Sequence, residues 1–338
     1  MIKEAIEIVV NGRSLTFEQA ATVMEEIMSG EATPAQLAAF VTALRMKGET
    51  VDEIAGLASV MQAKATPVPV SSPVIDTCGT GGDGIGSFNI STTAAFVVAG
   101  AGLKVAKHGN RAMSSHCGSA DVLEALGVKI DLGAEAVAQC LEKVGIGFMF
   151  APIFHPAMKH AAAPRREIGI RTVFNILGPL TNPARTQSQV IGVPSRQLGE
   201  KIASVLHRLG TKHSLVVHGL DGLDEISISG KSLVWEVNQH GVSSPYEISP
   251  EDFGFMKANV AEIKGGSAKQ NATILRDVLS GEAGVRRNIV IMNAAAALVA
   301  GNIVSNLKEG ADIAEEIIES GKALAKLDEL IKFSQSLT

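Results

Sequence analysis

The sequence predicts an α/β protein: a small helical part comes first, and a mostly parallel sheet follows it. Three capping boxes lie within the first 65 or so residues, and apolar residues follow them at helical spacing. From residue 74 onward, short apolar runs alternate with helix-like segments, which is typical of a parallel sheet flanked by helices. A connector containing Pro and Ser at residues 67–73 separates the two patterns and is a plausible hinge.

The helical part is predicted from its start and stop signals. Each capping box pairs a threonine with a Gln or Glu three positions later: Thr16 with Gln19, Thr33 with Gln36, and Thr50 with Glu53. Pro34 occupies the favoured first position of a helix, and Gly30 and Gly48 stand where the preceding helices should end. We interpret this segment as a packing unit without chemistry of its own.

The sheet is predicted from seven short strand-like runs, at residues 74–75, 103–106, 128–130, 146–150, 189–193, 214–217 and 225–228. Helix-like segments separate most of them, at residues 91–100, 120–126, 134–144 and 196–209. Residues 164–183 do not fit the alternation, and residues 267–333 read as mainly helical. The Ala-rich run at 289–303 is too short to span a membrane and predicts a buried helix.

Composition narrows the class of protein. The chain has 338 residues, of which 46% are hydrophobic and 19% charged, so it can bury a sizeable core in two domains or in one large domain with an appendage. The net charge of -5 makes nucleic-acid binding a poor hypothesis. The three cysteines (Cys78, Cys117 and Cys140) suit a reducing cytosol, and the N-terminus lacks the apolar region of a signal peptide, so we expect a cytoplasmic protein.

A glycine-rich loop follows the first predicted strand. Residues 79–84 (GTGGDG) match the GxGxxG pattern, but a dinucleotide site expects an acidic residue about 20 positions later, and this chain has Lys107 and His108 there. The third glycine also fails to open a helix, which is predicted to begin near 89–92 (NIST), and the lack of Gly-Lys-Ser/Thr excludes a Walker A loop. The loop therefore predicts a phosphate-binding turn beside a helix terminus; the alternative is a simple tight turn.

A basic loop follows the second predicted strand. Residues 107–111 (KHGNR) place three possible cations and an amide at the carboxyl end of that strand, where ligands bind in parallel sheets. Small hydrogen-bonding residues follow at 113–119 (MSSHCGS). The alternative is a solvated loop, and neither His108 nor His116 is assigned as a base. Two such loops side by side predict a ligand with more than one phosphate.

An acidic pair follows the strand predicted at 214–217. Asp224 and Glu225 come after a turn that contains Gly222. Mg²⁺ prefers oxygen ligands and is usually held by one or two carboxylates together with substrate phosphates. Alone, such a pair is usually surface charge, but beside two phosphate loops it predicts a site for magnesium and a polyphosphate.

Together these motifs resemble the anthranilate phosphoribosyltransferase family. The resemblance rests on residues 79–83 (GTGGD), 89–92 (NIST), 107–111 (KHGNR), 175–183 (NILGPLTNP) and 221–225 (DGLDE), and it spans nearly the whole chain. It implies the fold shared with the pyrimidine nucleoside phosphorylases. A small helical domain (1–70, joined by about 164–185) would sit on a large α/β phosphoribosyl-binding domain (71–163 and 186–338). It also implies a homodimer and a magnesium-dependent phosphoribosyl transfer in tryptophan biosynthesis.

The resemblance also implies roles for individual residues. Those matching contacts to 5-phosphoribosyl 1-pyrophosphate (PRPP) are Gly79, Gly82, Asp83, Ser87, Asn89, Ile90, Ser91, Thr92, Lys107, His108, Gly109, Asn110, Arg111, Ala112, Met113, Ser114, Ser115 and Ser119. Those matching anthranilate contacts are Gly79, Asn110 and Arg165, with Arg165 facing the carboxylate. Those matching magnesium ligands are Ser91, Asp224 and Glu225. No covalent nucleophile is expected.

Two alternatives stay open from the sequence. A pyrimidine nucleoside phosphorylase would carry Ser and Gly after the Lys-His dipeptide, where this chain has Gly109 and Asn110. A non-catalytic relative that binds nucleic acid would need a basic surface and would lack the acidic pair; the net charge of -5 disfavours it.

Overall fold

The computed structural model of the chain describes residues 1–112 and 117–337. An N-terminal bundle of four helices comes first: α1 (Ile2–Val10), α2 (Phe17–Ser29), α3 (Pro34–Lys47) and α4 (Val51–Ala63). All three predicted capping boxes are present, and Gly30 ends α2 at a φ of +82°. The sequence therefore specifies the ends of these helices locally.

One mixed sheet of eight strands follows. The strands are β1 (Ile75–Gly79), β2 (Val105–Gly109), β3 (Ile146–Phe150), β4 (Ser188–Gly192), β5 (His213–Gly219), β6 (Ser232–Asn238), β7 (Gly241–Val242) and β8 (Tyr246–Ile248). Their order is β3-β2-β1-β4-β5-β6-β7, with β8 also paired to β6. Strands β1 to β5 are parallel to their neighbours, whereas β6 runs antiparallel to β5. The predicted α/β class with a mostly parallel sheet is confirmed.

Helices cover both faces of the sheet. They are α5 (Ile90–Gly100), α6 (Ser119–Ala125), α7 (Ala134–Lys143), α8 (Ala151–Phe154), α9 (Lys159–Ile168), α10 (Phe174–Leu177), α11 (Arg196–Arg208), α12 (Ala268–Leu279), α13 (Val285–Ala300), α14 (Leu307–Glu319) and α15 (Lys322–Ser336). One apolar core joins α5, α13 and the C-terminal helices to the sheet, and a second joins the N-terminal bundle to α11. Across residues 1–112 and 117–337, no helix combines the length and apolar character that a membrane crossing requires.

Two predicted strands are wrong. Residues 128–130 form an irregular connection, because the backbone N–H of Lys129 donates to Ser334 Oγ of α15 rather than to a neighbouring strand. Residues 225–228 form a turn in which the side chain of Asn293 binds both the N–H and the carbonyl of Ile226. In both places apolar side chains are buried, but the backbone does not pair with a strand. The strand that follows the acidic pair is β6, and none of the seven predicted strand-like runs covers it.

Three connections between the bundle and the sheet run side by side. In the connector after α4, Thr66 N–H donates to Phe154 O at 2.8 Å and Val68 N–H donates to Pro183 O at 3.2 Å. The segment between these two acceptors carries α9 and α10, and its residues Phe174 and Leu177 pack into the core of the N-terminal bundle. This packing favours the assignment of 164–185 to the helical domain, and the exact division into domains stays a prediction.

Candidate active site

Two glycines in register open the edge of the sheet where parallel strands end. Gly79 of β1 pairs with Gly192 of β4, and both face the turn that carries Asp224. A Cβ on Gly192 would lie 1.6 Å from the carbonyl oxygen of Asp224, and a Cβ on Gly79 would lie 2.2 Å from its Oδ2. Because only glycine leaves this space, the acidic turn reaches the glycine-rich loop.

The glycine-rich loop presents backbone donors to the acidic pair. Gly81 and Gly82 have φ angles of +69° and +90°, a region that glycine adopts without steric cost. The N–H of Gly81 donates to Asp224 Oδ2 at 2.7 Å. The backbone of the predicted phosphate-binding loop therefore already binds one anionic oxygen, which belongs to the side chain of Asp224.

The start of α5 provides the second donor. Asn89 precedes the helix, and its side chain binds Cys117 O and Asn271 instead of capping the helix. The N–H of Ser91 donates to Glu225 Oε1 at 3.1 Å. Ile90 and Thr92 are buried in the same turn. The free N–H groups of a helix terminus favour negative charge, which a carboxylate supplies here.

Lys107 lies between two carboxylates. It belongs to β2 itself, as do His108 and Gly109, so the predicted loop begins only at Asn110. Its ammonium group is buried and donates to Thr77 O at 2.6 Å, and its charge opposes the rise in pKa of both Asp76 and Glu225. A buried ammonium beside carboxylates and a helix terminus is suited to hold an anionic substrate.

Burial and neighbouring carboxylates disfavour the charged forms of Asp224 and Glu225. Burial, and then the neighbouring carboxylate of Asp83, raise the pKa of Asp224. Burial, and then Asp224, raise the pKa of Glu225. Asp83 Oδ2 is buried with no hydrogen-bond partner among the described residues. Lys107 offsets only part of this negative charge, and a divalent cation would offset more of it.

The donor set suits magnesium better than a transition metal. Within the described parts of the chain, no group of three or more His, Cys, Asp or Glu side chains is arranged to hold a metal on its own. Ser91, Asp224 and Glu225 offer only oxygen atoms, which Mg²⁺ prefers. Mg²⁺ usually takes its remaining ligands from water and substrate phosphates, so this partial set fits it.

The described residues on either side of 113–116, after β2, bind to α6. Asp121 Oδ2 accepts hydrogen bonds from the N–H groups of Ala112 and Gly118, at 2.9 and 2.8 Å. Arg111 forms ion pairs with Glu124 and Asp121, so it must leave them to reach a diphosphate. Three predicted PRPP contacts, and one further residue of the predicted loop, lie outside the described residues: Met113, Ser114, Ser115 and His116.

Four other predicted contacts lie around these loops. Ser119 opens α6, and its Oγ lies 3.5 Å from the carbonyl oxygen of Asn110. Asn110 is exposed, and Ser87 forms an isolated bridge with Lys264. Arg165 lies on α9 with its guanidinium carbon 4.9 Å from the centre of the Phe174 ring, and burial lowers its pKa.

His108 faces a second buried histidine. Its Nδ1 lies 3.2 Å from Gly178 O, and its ring centre lies 5.0 Å from that of His155. Burial lowers the pKa of His108 to about 3 and that of His155 to about 4, so both rings are neutral near pH 7.

Sequence reasoning missed several residues that support the site. Asp76 is fully buried and accepts a hydrogen bond from Asn182 Nδ2 at 2.8 Å, which ties β1 to the returning helical segment. Asn293 appears in the sequence only as an interruption of an apolar run, yet it holds Ile226, next to the acidic pair. The signal that could have identified Asn293 is a polar residue inside an apolar run, because a buried polar side chain needs a hydrogen-bond partner.

Comparisons with known proteins agree with this geometry. Residues 71–324 match "Glycosyl transferase family, a/b domain", and residues 3–65 match "Glycosyl transferase family, helical bundle domain". The anthranilate phosphoribosyltransferase of Dehalococcoides mccartyi is 61% identical over 338 residues, 100% of this chain and 99% of that one. The enzyme of the same name from Chloroflexus aurantiacus is 60% identical over 335 residues, 99% of each chain.

Solved structures extend the similarity. The anthranilate phosphoribosyltransferase of Thermus thermophilus superposes with a TM-score of 0.92 at 43% identity, covering 98% of this chain and 99% of that one. The Saccharomyces cerevisiae enzyme, in complex with PRPP and Mg, superposes with a TM-score of 0.91 at 30% identity, covering 99% and 98%. The chain therefore belongs to the anthranilate phosphoribosyltransferase family.

Proposed function

We propose that the chain transfers the phosphoribosyl group of PRPP to the amine of anthranilate, in the second step of tryptophan biosynthesis. The products are N-(5-phosphoribosyl)anthranilate and pyrophosphate. One observation carries the proposal: the N–H groups of Gly81 and Ser91 converge on the buried acidic pair Asp224 and Glu225. This combination of anion donors and metal ligands suits a magnesium–diphosphate substrate.

The diphosphate is assigned to the glycine-rich loop, the start of α5 and Lys107. Each offers N–H groups or a fixed positive charge at the same edge of the sheet. The yeast relative that superposes on this chain binds PRPP and Mg, which supports the assignment. Residues 107–115 and Ser119 complete the predicted PRPP site.

Magnesium is assigned to Ser91, Asp224 and Glu225. The raised pKa values of both carboxylates and the unpartnered Oδ2 of Asp83 support a cation at this position. When bound, magnesium supplies positive charge beside the pyrophosphate as it leaves.

Anthranilate is assigned to the side of the cleft formed by α9. Arg165 would pair with its carboxylate, Gly79 would contact it from the end of β1, and Asn110 would contact it from the loop after β2. Stacking on Phe174 holds the guanidinium of Arg165, which reduces the number of positions that it can adopt.

The reaction is a displacement at C1 of the ribose. The amine nitrogen of anthranilate forms the new bond to C1, the C1–oxygen bond breaks, and pyrophosphate leaves with that electron pair. The nitrogen then releases one proton to the solvent, which leaves the neutral secondary amine of the product. The positive charge of Lys107 stabilises the charge on the leaving group. Arg165 orients the amine, and holding the amine against C1 supplies much of the remaining acceleration. No enzyme nucleophile takes part.

A homodimer and a cytosolic location are also proposed. The proposed homodimer forms through the helical domain, where Val10 of α1 and Met46 of α3 are 67% and 84% exposed. All three cysteines are unpaired, which supports a cytosolic location. Replacing Met46 by Glu should weaken the dimer in light scattering.

Turnover tests the function directly. Purified protein with PRPP, Mg²⁺ and anthranilate should lose anthranilate fluorescence, and each component should be required. The contrary result is phosphorolysis of a pyrimidine nucleoside by the same protein without consumption of anthranilate. That outcome would assign the chain to the alternative enzyme class.

A further inference from the structure

Arg171 reaches from the helical segment to the back of the glycine-rich loop. It lies between α9 and α10, in the stretch that begins at Arg165 and packs on the N-terminal bundle. Its Nη2 donates to the carbonyl oxygens of Thr80 and Gly81, each at 2.9 Å. One nitrogen therefore holds two successive peptide groups of the loop that is assigned to the diphosphate.

Arg171 also lies close to Gly82. A Cβ on Gly82 would lie 2.5 Å from the guanidinium carbon of Arg171, so the plane of the guanidinium covers the space that any larger residue would fill. Carbonyl groups on one side of the loop bind Arg171, and the N–H of Gly81 points to Asp224 on the other side. The loop is held between a cation and an anion.

The charge around Arg171 is not fully compensated. Asp224 and Asp83 attract its guanidinium, Arg45 of α3 repels it, and burial lowers its pKa. Among residues 1–112 and 117–337, no carboxylate oxygen forms an ion pair with it within 4.0 Å. Both hydrogen bonds that it forms with described residues go to the loop, so its structural effect falls on the backbone at residues 80 and 81.

We propose that Arg171 is a positioning residue for PRPP: it fixes the glycine-rich loop in the form that receives the diphosphate, and it connects that loop to the segment carrying Arg165. The inference rests on the proposed function. Without Arg171, the glycines of the loop regain their conformational freedom, and PRPP must order them when it binds. The free energy needed to order the loop lowers the affinity for PRPP, whereas the rate of the chemical step in the bound complex stays the same.

The test compares Arg171→Ala, Arg171→Lys and the control Arg196→Ala in the full chain. Arg196 is 62% exposed on α11, so its replacement removes an arginine without touching the loop. Because hydrogen bonds from a charged donor are worth more than neutral ones, Arg171→Ala should raise KM for PRPP by roughly 10- to 100-fold. We expect kcat and KM for anthranilate to change by less than about threefold, since PRPP re-forms the loop once bound.

Arg171→Lys should recover part of the loss, because a single ammonium nitrogen can also donate to two carbonyl groups. Hydrogen–deuterium exchange at residues 79–84 should be faster in ligand-free Arg171→Ala than in the wild type, and PRPP should remove the difference. If the Ala variant does not fold, Arg171→Gln, which keeps a donor but loses the charge, is measured in the same way.

The outcomes separate this inference from the proposed function. A folded Arg171→Ala protein that binds PRPP within about twofold of the wild type by calorimetry would overturn the positioning role alone. Equal rises in KM for both substrates would also overturn it, since they indicate general distortion. Failure of the wild-type chain to bind PRPP would refute the proposed function, and this inference with it.

Discussion

Replacing Gly192 by Ala should move the acidic pair away from the diphosphate site. The substitution adds one methyl group at the end of β4, where a Cβ would lie 1.6 Å from the carbonyl oxygen of Asp224 and 2.4 Å from its carbonyl carbon. A Cβ atom essentially never lies closer than 3.0 Å to a heavy atom outside its own residue and its chain neighbours. The turn that carries Asp224 must therefore move away from β4 by about 1.4 Å. The neighbouring atoms are backbone, so no side-chain rotation relieves the contact.

The size of the effect follows from this displacement. A misplacement of about 1 Å can cost about 100-fold in rate, which corresponds to about 2.7 kcal/mol of transition-state stabilisation. We therefore expect kcat/KM for PRPP to fall at least about 100-fold. The magnesium concentration for half-maximal activity should rise, because Asp224 and Glu225 move together. Overpacking itself should cost about 1–3 kcal/mol of stability.

Steady-state fluorescence kinetics across a magnesium titration measure the effect, and thermal unfolding shows whether the variant is folded. Gly230→Ala is the matched control, because a Cβ there would meet nothing within 4 Å and the residue has no positive φ. If folded Gly192→Ala kept kcat/KM and magnesium dependence within about threefold of the wild type, the reasoning that places the acidic pair against β4 would be refuted.

Three further predictions address the metal site, the substrate side and stability. The double variant Asp224→Asn/Glu225→Gln should lose at least about 100-fold in activity at limiting Mg²⁺; normal turnover there would argue against the metal role. Arg165→Ala should mainly raise KM for anthranilate, by about tenfold or more, and an unchanged KM would exclude its carboxylate contact. Glu53→Ala should lower the free energy of unfolding by about 3–5 kcal/mol in urea titrations, because it removes a buried carboxylate that pairs with Lys47 and accepts from the N–H groups of Leu15 and Thr50; a loss below about 1 kcal/mol would contradict this.

A fifth prediction concerns pH, and its sign follows from the lowered pKa of His155. The folded protein keeps this ring neutral down to about pH 4, whereas the unfolded chain protonates it below about 6.5. Stability is therefore lost as pH falls from 6.5 towards 4, by about 2 kcal/mol at pH 5 from this group alone. His155→Leu should flatten the stability profile over this range. An identical slope in both proteins would contradict the buried neutral state.

The helical bundle could be predicted closely because its signals are local. Capping boxes and terminal glycines act within one turn of chain, and the predicted boxes at Thr16, Thr33 and Thr50 are present. The strands at 128–130 and 225–228 were wrong for a non-local reason. Burial produces the same apolar alternation whether the backbone pairs with a strand or with a side chain such as Asn293.

The candidate site could be predicted where its chemistry is carried by motifs. The glycine-rich loop, Lys107 and the acidic pair were found from the sequence, and the structure brings them to one edge of the sheet. Gly192 and Arg171 could not be found, because nothing near them in the sequence shows that they face Asp224 and the glycine-rich loop. Their importance comes from contacts that only the fold creates.

A crystal structure of the chain with PRPP and Mn²⁺ in place of Mg²⁺ tests the central claim most directly. The account predicts an anomalous peak at about 2.1–2.2 Å from carboxylate oxygens of Asp224 or Glu225 and from the diphosphate. It also predicts that the diphosphate lies against Gly81–Asp83 and Lys107. A diphosphate bound away from these residues, or a metal peak with no contact to either carboxylate, would contradict the account.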